Sequence, residues 1–124
     1  MELTDLTDEE RVALAALLEV VVESNAAVSR DELEEVQRVV GAVGDAAYAA
    51  AADAAAARFG DEAELKAFLP SITRQEAREL IYGTVLAAAL PDAMSAHESA
   101  MLNWLGQAWN IVVRIEGSAS GDDA

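Results

Sequence analysis

Apolar residues recur along this chain at the three- and four-residue spacing that is typical of amphipathic helices. Two stretches show the pattern most clearly, namely Leu14, Leu17, Leu18 and Val21, and then Leu33, Val36, Val40 and Val43. An alanine-rich helix is predicted over Asp45–Phe59, and a shorter helix is predicted to begin at Asp61 and to end at Pro70. With two more helices after residue 72, the pattern predicts about six helices in a single compact all-α domain.

The chain also matches itself without gaps at an offset of 66 residues, so that residues 6–44 fall on residues 72–110. Seven of these aligned pairs are identical, among them Leu14 with Leu80. Self-similarity at a fixed offset is the signature of an internal repeat. We therefore predict two repeated helix pairs.

The repeat sets the expected boundaries of the domain. The linker helices fall at 45–70, and the whole helical domain is expected over 1–116. The small, polar segment 117–124 is expected to be a disordered tail. Residues 110–115 are ambiguous, because they suit either a last helical turn or a short extended segment.

Helix starts are predicted by capping boxes, in which Ser, Thr or Asp is followed three residues later by Glu. Four boxes match across the repeats: Thr7 with Glu10, Ser29 with Glu32, Thr73 with Glu76, and Ser95 with Glu98. Asp61 with Glu64 forms a fifth, and Val28 with Leu33 fits a hydrophobic staple around one of them. Because both side chains of a box bond amides that lack a partner within the helix, these residues are expected to fix the helix starts.

Composition and charge narrow the possible chemistry. The net charge is -15, with 23 acidic against 8 basic residues, which disfavours binding to nucleic acid or to an anionic membrane. The chain has no cysteine, and its one histidine, His97, is expected to lie on the surface. A glutamate interrupts the longest apolar run, Val12–Val22, well short of a bilayer span. A cytoplasmic protein without membrane insertion is therefore expected.

Repeat-related carboxylates suggest a metal site of the kind that helix bundles build, using Glu10, Glu32, Glu76 and Glu98. Such sites usually add a histidine three residues after a glutamate, and none is present here. The turn before Glu32 also resembles the second half of a calcium loop, but the ligand positions counted back from Glu32 hold Val21, Glu23 and Asn25. Because capping explains all four glutamates, no metal and no cofactor is expected.

The turns within the two repeats are SNAAVSRDE over Ser24–Glu32 and LPDAMSAHE over Leu90–Glu98. A helix pair whose turn has the order acid, Gly, any residue, aliphatic, Ser, two residues, Glu, repeated twice, resembles the TerB-like (tellurite-resistance) family. The likeness covers about residues 6–110. It implies an all-helical domain that acts in stress responses through protein assemblies, with acidic turn residues that bind metal.

The turns depart from the family pattern at the positions that matter for metal. The family's aspartate falls on Asn25 and Pro91, and its glycine falls on Ala26 and Asp92. A divalent cation needs several charged oxygens. The weak metal candidates are therefore Asn25, Glu32, Asp92 and Glu98, and the resemblance implies a copy that has lost metal binding.

Six positions that are charged in the first repeat are apolar in the second. The pairs are Arg11 and Ala77, Glu19 and Val85, Glu23 and Ala89, Glu34 and Ala100, Glu35 and Met101, and Arg38 and Trp104. Met101 and Trp104 lie three residues apart and therefore on one helix face. We expect them, with Val85 and Ala100, to bind a partner. The alternative is that this face packs on the alanine-rich helix around Tyr48–Ala56.

These features predict a non-catalytic interaction module of TerB-like type that docks a protein partner or a second copy of itself. The chain contains no nucleophile beside a base, no glycine-rich phosphate loop and no basic stripe, so it is not expected to be an enzyme or to bind nucleic acid. Two alternatives remain open. One is a metal-responsive TerB-like protein, and the other is an acidic antagonist that mimics nucleic acid through Glu9, Glu10, Asp31, Glu32, Glu34 and Glu35.

Overall fold

The structure, a computed structural model, describes residues 2–23, 30–89 and 96–111. Over these ranges the chain forms helices and no strand, which confirms the predicted all-α class and the six helices. They are α1 (Asp8–Glu23), α2 (Arg30–Val43), α3 (Asp45–Arg58), α4 (Glu62–Phe68), α5 (Gln75–Ala89) and α6 (Ala96–Ala108). Short 3-10 turns precede α1 at Leu3–Asp5 and follow α4 at Leu69–Ser71. No helix within the described ranges is long and apolar enough to cross a membrane.

Helix α1 lies at the centre of the core. Every residue from Val12 to Leu18 is buried, and α3 and α5 both pack against this helix. The predicted stripe of Leu14, Leu17, Leu18 and Val21 is confirmed, because all four side chains are buried. The buried surface is wider than one stripe, as expected for a helix that is apolar on nearly every side.

Alanine favours both the formation of helix α3 and its close packing against α1. Alanine has the highest intrinsic helix propensity, and the observed helix Asp45–Arg58 agrees with the predicted one. Ala51 and Ala55 are buried. Their small side chains allow α3 to lie close against α1, whereas Ala49 and Ala57 remain exposed.

The predicted capping box at the start of α1 is present. The backbone N–H of Thr7 donates to Glu10 Oε1 at 2.8 Å, and the N–H of Glu10 donates to Thr7 Oγ1 at 3.2 Å. The equivalent prediction in the second repeat is wrong, because α5 begins only at Gln75 and no hydrogen bond of the described residues joins Thr73 to Glu76. Ser29 and Ser95, with their two boxes, lie outside the described residues.

Helix α4 forms half of its predicted box. Asp61 Oδ1 accepts from the N–H of Glu64 at 2.9 Å, but the Glu64 carboxylate accepts from Gly60 rather than from Asp61. A Cβ atom on Gly60 would lie 3.1 Å from Glu64 Oε1, so a larger residue here would require the Glu64 carboxylate to shift. The helix ends at Phe68, and Pro70 lies in the 3-10 turn that follows.

Glu10 joins the starts of α1 and α5. Its carboxylate accepts two hydrogen bonds from Arg74, from Nε to Oε2 at 2.8 Å and from Nη2 to Oε1 at 2.6 Å. Arg74 Nη2 also donates to the Asp5 carbonyl at 3.1 Å. Glu10 is only 4% exposed, and a charge at such a depth requires a partner. The bonds from Arg74 lower the pKa of Glu10, although burial acts in the opposite direction.

Helix α2 confirms only part of its predicted stripe. Leu33 is 48% exposed, so its placement on the buried face was wrong, whereas Val43 is buried and Val36 and Val40 are half-buried. Val39, which the predicted stripe did not include, is fully buried. The buried face is the one that packs against α5, α3 and the first 3-10 turn. Val28, the proposed staple partner of Leu33, lies outside the described residues.

The helices follow the offset of 66 residues, but their packing does not. The bounds of α1 and α5 agree at this offset to within one residue, as do those of α2 and α6. Helix α2 packs against α5 of the other pair, whereas α6 packs chiefly against α5 of its own pair. The repeat as a structural unit therefore remains a prediction.

The chain leaves α6 through a left-handed turn. Asn110 has φ 56°, and the N–H of Ile111 donates to the Gly106 carbonyl at 2.8 Å, which is the ending known as a Schellman motif. The ambiguous segment therefore begins as a turn. Its residues 112–115 and the predicted tail at 117–124 lie outside the described residues.

The contact of Glu10 with Thr7 and Arg74, which we call the Glu10 joint, predicts how acid destabilises the protein. Because the pKa of Glu10 is lower in the folded state than its ordinary value of 4.5, its contribution is complete above pH 4.5 and is lost as the pH falls through the folded pKa. We expect the free energy of unfolding of Glu10→Gln to fall less steeply below this pH than that of the wild type. Urea unfolding across the acid range measures this. Glu79→Gln, on an exposed position of α5, controls for the change in net charge. Parallel slopes for Glu10→Gln and the wild type would contradict the prediction.

Candidate functional site

The four residues that were predicted to bind a partner do not form one exposed surface. Val85 and Met101 are only 1% and 4% exposed, so both belong to the core and their assignment to a docking face is corrected. Ala100 is exposed, and Trp104 is half-buried. Helix α6 packs chiefly on α5, so the alternative of packing on the alanine-rich α3 is not what buries this face.

Trp104 lies in a seam between α4 and α6. Lys66 Nζ lies 5.1 Å from the centre of the Trp104 ring, close enough for a cation–π interaction. One end of the same seam holds His97, whose Nε2 lies 2.5 Å from Glu62 Oε2. His97 is on the surface, as predicted, with its side chain 55% exposed. Both contacts join α4 to α6, so these four side chains help to hold the two helices together.

Of the four weak metal candidates, the structure describes the side chain of Glu98 alone. Asn25 and Asp92 lie outside the described residues, as does the side chain of Glu32. Glu98 is described, and it is buried in α6. Among the residues that the structure describes, no three His, Asp or Glu side chains are grouped as metal ligands.

A cleft that the sequence did not predict opens between α1, α3 and α4. Its volume is about 340 Å³, within the usual range for ligand pockets. The apolar part of its lining, here called the floor, includes Val20, Ala55, Phe59 and Leu65, although the cleft surface as a whole is more polar than apolar. Of these, Ala55 and Leu65 are buried, whereas Val20 and Phe59 keep part of their surface exposed.

The rim of this cleft is acidic. Three carboxylates line it, those of Glu19, Asp61 and Glu62, and no basic residue is among the described residues that do so. The pKa of Tyr48 is raised, first because its side chain is partly buried and second because the negative charge of Glu19 disfavours a second negative charge nearby. The cleft therefore combines an apolar floor with a negative potential.

The corner between α3 and α4 is held by contacts that position the cleft. The rings of Phe59 and Phe68 are tilted by 47° with their centres 5.2 Å apart, and the Arg58 guanidinium lies 5.7 Å from the centre of the Phe68 ring. Arg58 also donates to both carboxylate oxygens of Glu9 at 3.1 and 3.2 Å. These contacts tie the end of α3 to both α4 and α1.

One sequence signal points to this cleft. Glu19 is the charge that interrupts the apolar run Val12–Val22 of the buried helix α1. A carboxylate in such a helix must reach water or a partner. The position of Glu19 could therefore have predicted an opening beside α1. It could not have predicted that α3 and α4 form the other sides of that opening.

Comparison of the chain with protein-family models, with curated proteins and with solved structures found no match.

The two tryptophans are expected to differ sharply in their contribution to stability. Trp109 is fully buried and its Nε1–H donates to the Leu69 carbonyl at 2.9 Å, so Trp109→Phe removes one of the two hydrogen bonds that this carbonyl accepts and creates a void. We expect a loss of about 2–3 kcal/mol in the free energy of unfolding. Trp104→Phe keeps an aromatic ring beneath Lys66 and should cost less than about 1 kcal/mol. Urea unfolding of both variants tests the difference, and equal losses would contradict it.

Proposed function

We propose that this protein is a non-catalytic interaction module that binds a basic protein partner. The observation that carries the proposal is the arrangement of charge. Five basic side chains are engaged within the fold, through the pairs Arg11 with Asp8, Arg38 with Glu35, Arg58 with Glu9, Arg74 with Glu10, and Lys66 with Trp104. Arg78 donates to the Ile72 carbonyl and to Gln75, and Arg30 is exposed at the start of α2. Exposed acidic side chains such as Glu19, Asp31 and Asp53 supply an excess of negative charge that a basic partner would complement.

The engagement of the candidate reactive groups supports a role without catalysis. Glu10 is held by Thr7 and Arg74, and His97 is held by Glu62. Groups that are bonded in this way stabilise helix starts and helix contacts. The TerB-like resemblance adds the expectation that such a module works within a stress-response assembly, and this remains part of the proposal.

The pairing of acids with arginines speaks against mimicry of nucleic acid. Of the six acidic residues that were considered for a decoy surface, Glu9, Glu10 and Glu35 are each bonded to an arginine. A decoy would need those charges to face its target. We therefore favour a partner that is bound through apolar contact as well as charge.

Salt dependence distinguishes these two modes of binding. The probe is a synthetic amphipathic peptide with lysine and arginine on one face and leucine on the other, measured by calorimetry. Between about 50 mM and about 500 mM salt, we expect the affinity to fall several-fold but to remain measurable, because apolar contact is not screened. A peptide of equal charge with serine in place of leucine should bind far more weakly. Equal binding of both peptides, lost together in high salt, would support the decoy instead.

Metal titration tests the metal-responsive alternative. Because the aligned turns place Asn25 and Pro91 where the family has aspartate, we expect calcium, magnesium and zinc to leave the melting temperature unchanged. Thermal unfolding with each metal, and with a chelator as the control, measures this. A rise of several degrees with one metal would favour the alternative.

A further inference from the structure

The cleft between α1, α3 and α4 places apolar lining residues, two of which are partly exposed, beside the carboxylates of Glu19, Asp61 and Glu62. Building on the proposed function, we propose that this cleft is the docking site, and that it takes a short basic segment of the partner. One or more apolar side chains of that segment enter the floor, and a flanking arginine or lysine lies against the rim.

The floor argues for an apolar side chain. Val20 and Phe59 are half-buried, so each still exposes apolar surface that an entering side chain would cover. Removing apolar surface from water on both partners favours binding. The volume of about 340 Å³ admits side chains but is too small for a whole helix, so the segment must lie across the opening and insert its side chains.

The rim argues for a cation. Asp61 uses Oδ1 to cap α4, and Glu62 uses Oε2 to meet His97, yet both carboxylates line the cleft. Glu19 faces them from α1. A guanidinium or ammonium group placed among these carboxylates would be attracted by all of them.

The basic side chains next to the cleft are already committed elsewhere. Arg58, which precedes Phe59, is bonded to Glu9, and Lys66, which follows Leu65, lies over the Trp104 ring. Neither is among the lining residues. The charge of the rim is therefore not balanced by these two neighbours, and a partner can supply the balance.

A steric variant tests the floor. Ala56 is exposed and lines the cleft, so Ala56→Leu fills it without changing the charge. We expect this variant to bind the amphipathic peptide about tenfold more weakly than the wild type does. Ala57→Leu is the matched control, because Ala57 is also exposed on α3 but does not line the cleft, and it should stay within about twofold of the wild type.

A charge variant tests the rim. Glu19→Gln with Asp61→Asn removes two carboxylates, and asparagine retains the ability to cap α4. We expect binding to weaken about fivefold or more at low salt, with a smaller dependence on salt. The matched control is Asp31→Asn with Glu34→Gln on α2, which removes the same charge from exposed positions outside the cleft. Urea unfolding checks that all variants retain the wild-type fold.

The outcomes separate this proposal from the proposed function. If the wild type binds the peptide and the cleft variants bind it as well as their controls do, the docking site is overturned while the function stands. If both charge variants weaken binding equally, the surface acts only through its total charge, and the cleft is again overturned. If the wild type binds none of the basic peptides, the proposed function fails and the docking site fails with it.

Discussion

Helix α1 enters the core just after a start at which Thr7, Glu10 and Arg74 are bonded to one another. The first amides of a helix have no partner inside it, and burying them unpaired would be costly. Thr7 and Glu10 bond these amides, and Arg74 then balances the charge that Glu10 carries into the core. The same contact fixes the start of α5 beside the start of α1, so capping and helix packing depend on one group of side chains.

Local features of the sequence were enough to predict most of the helices. The stripe of α1, the alanine helix α3 and the ends of α4 depend on propensity, spacing and capping, all of which act between residues close in the chain. The Glu10 joint shows where this reasoning stops. Thr7 and Glu10 were visible as a box, but Arg74 is 64 residues away from Glu10 and no local pattern relates the two. The box at Thr73 failed because α5 begins at Gln75, one residue later than its offset from α1 predicts.

The predicted partner surface failed for a different physical reason. Comparing the repeats assumed that equivalent positions have equivalent surroundings, so an apolar residue in place of a charge was taken as exposed. The helices pack unequally, however, and Val85 and Met101 meet the protein's own core where their charged counterparts would meet water. Burial within the domain explains these two substitutions without a partner. Whether such a residue is buried in its own domain or exposed to a partner depends on packing between distant parts of the chain, and the sequence pattern does not reveal this packing.

The cleft follows from the same constraint that holds α1 in the core. A helix enclosed by neighbours can carry a charge in its middle only where the neighbours leave an opening, because an unpaired buried carboxylate is strongly disfavoured. Glu19 is exposed, and it lines the cleft between α1, α3 and α4. Val20 and Phe59, which also line this cleft, are partly exposed. The cleft therefore has apolar surface and negative charge side by side, which is the combination on which the proposed docking of a basic segment rests.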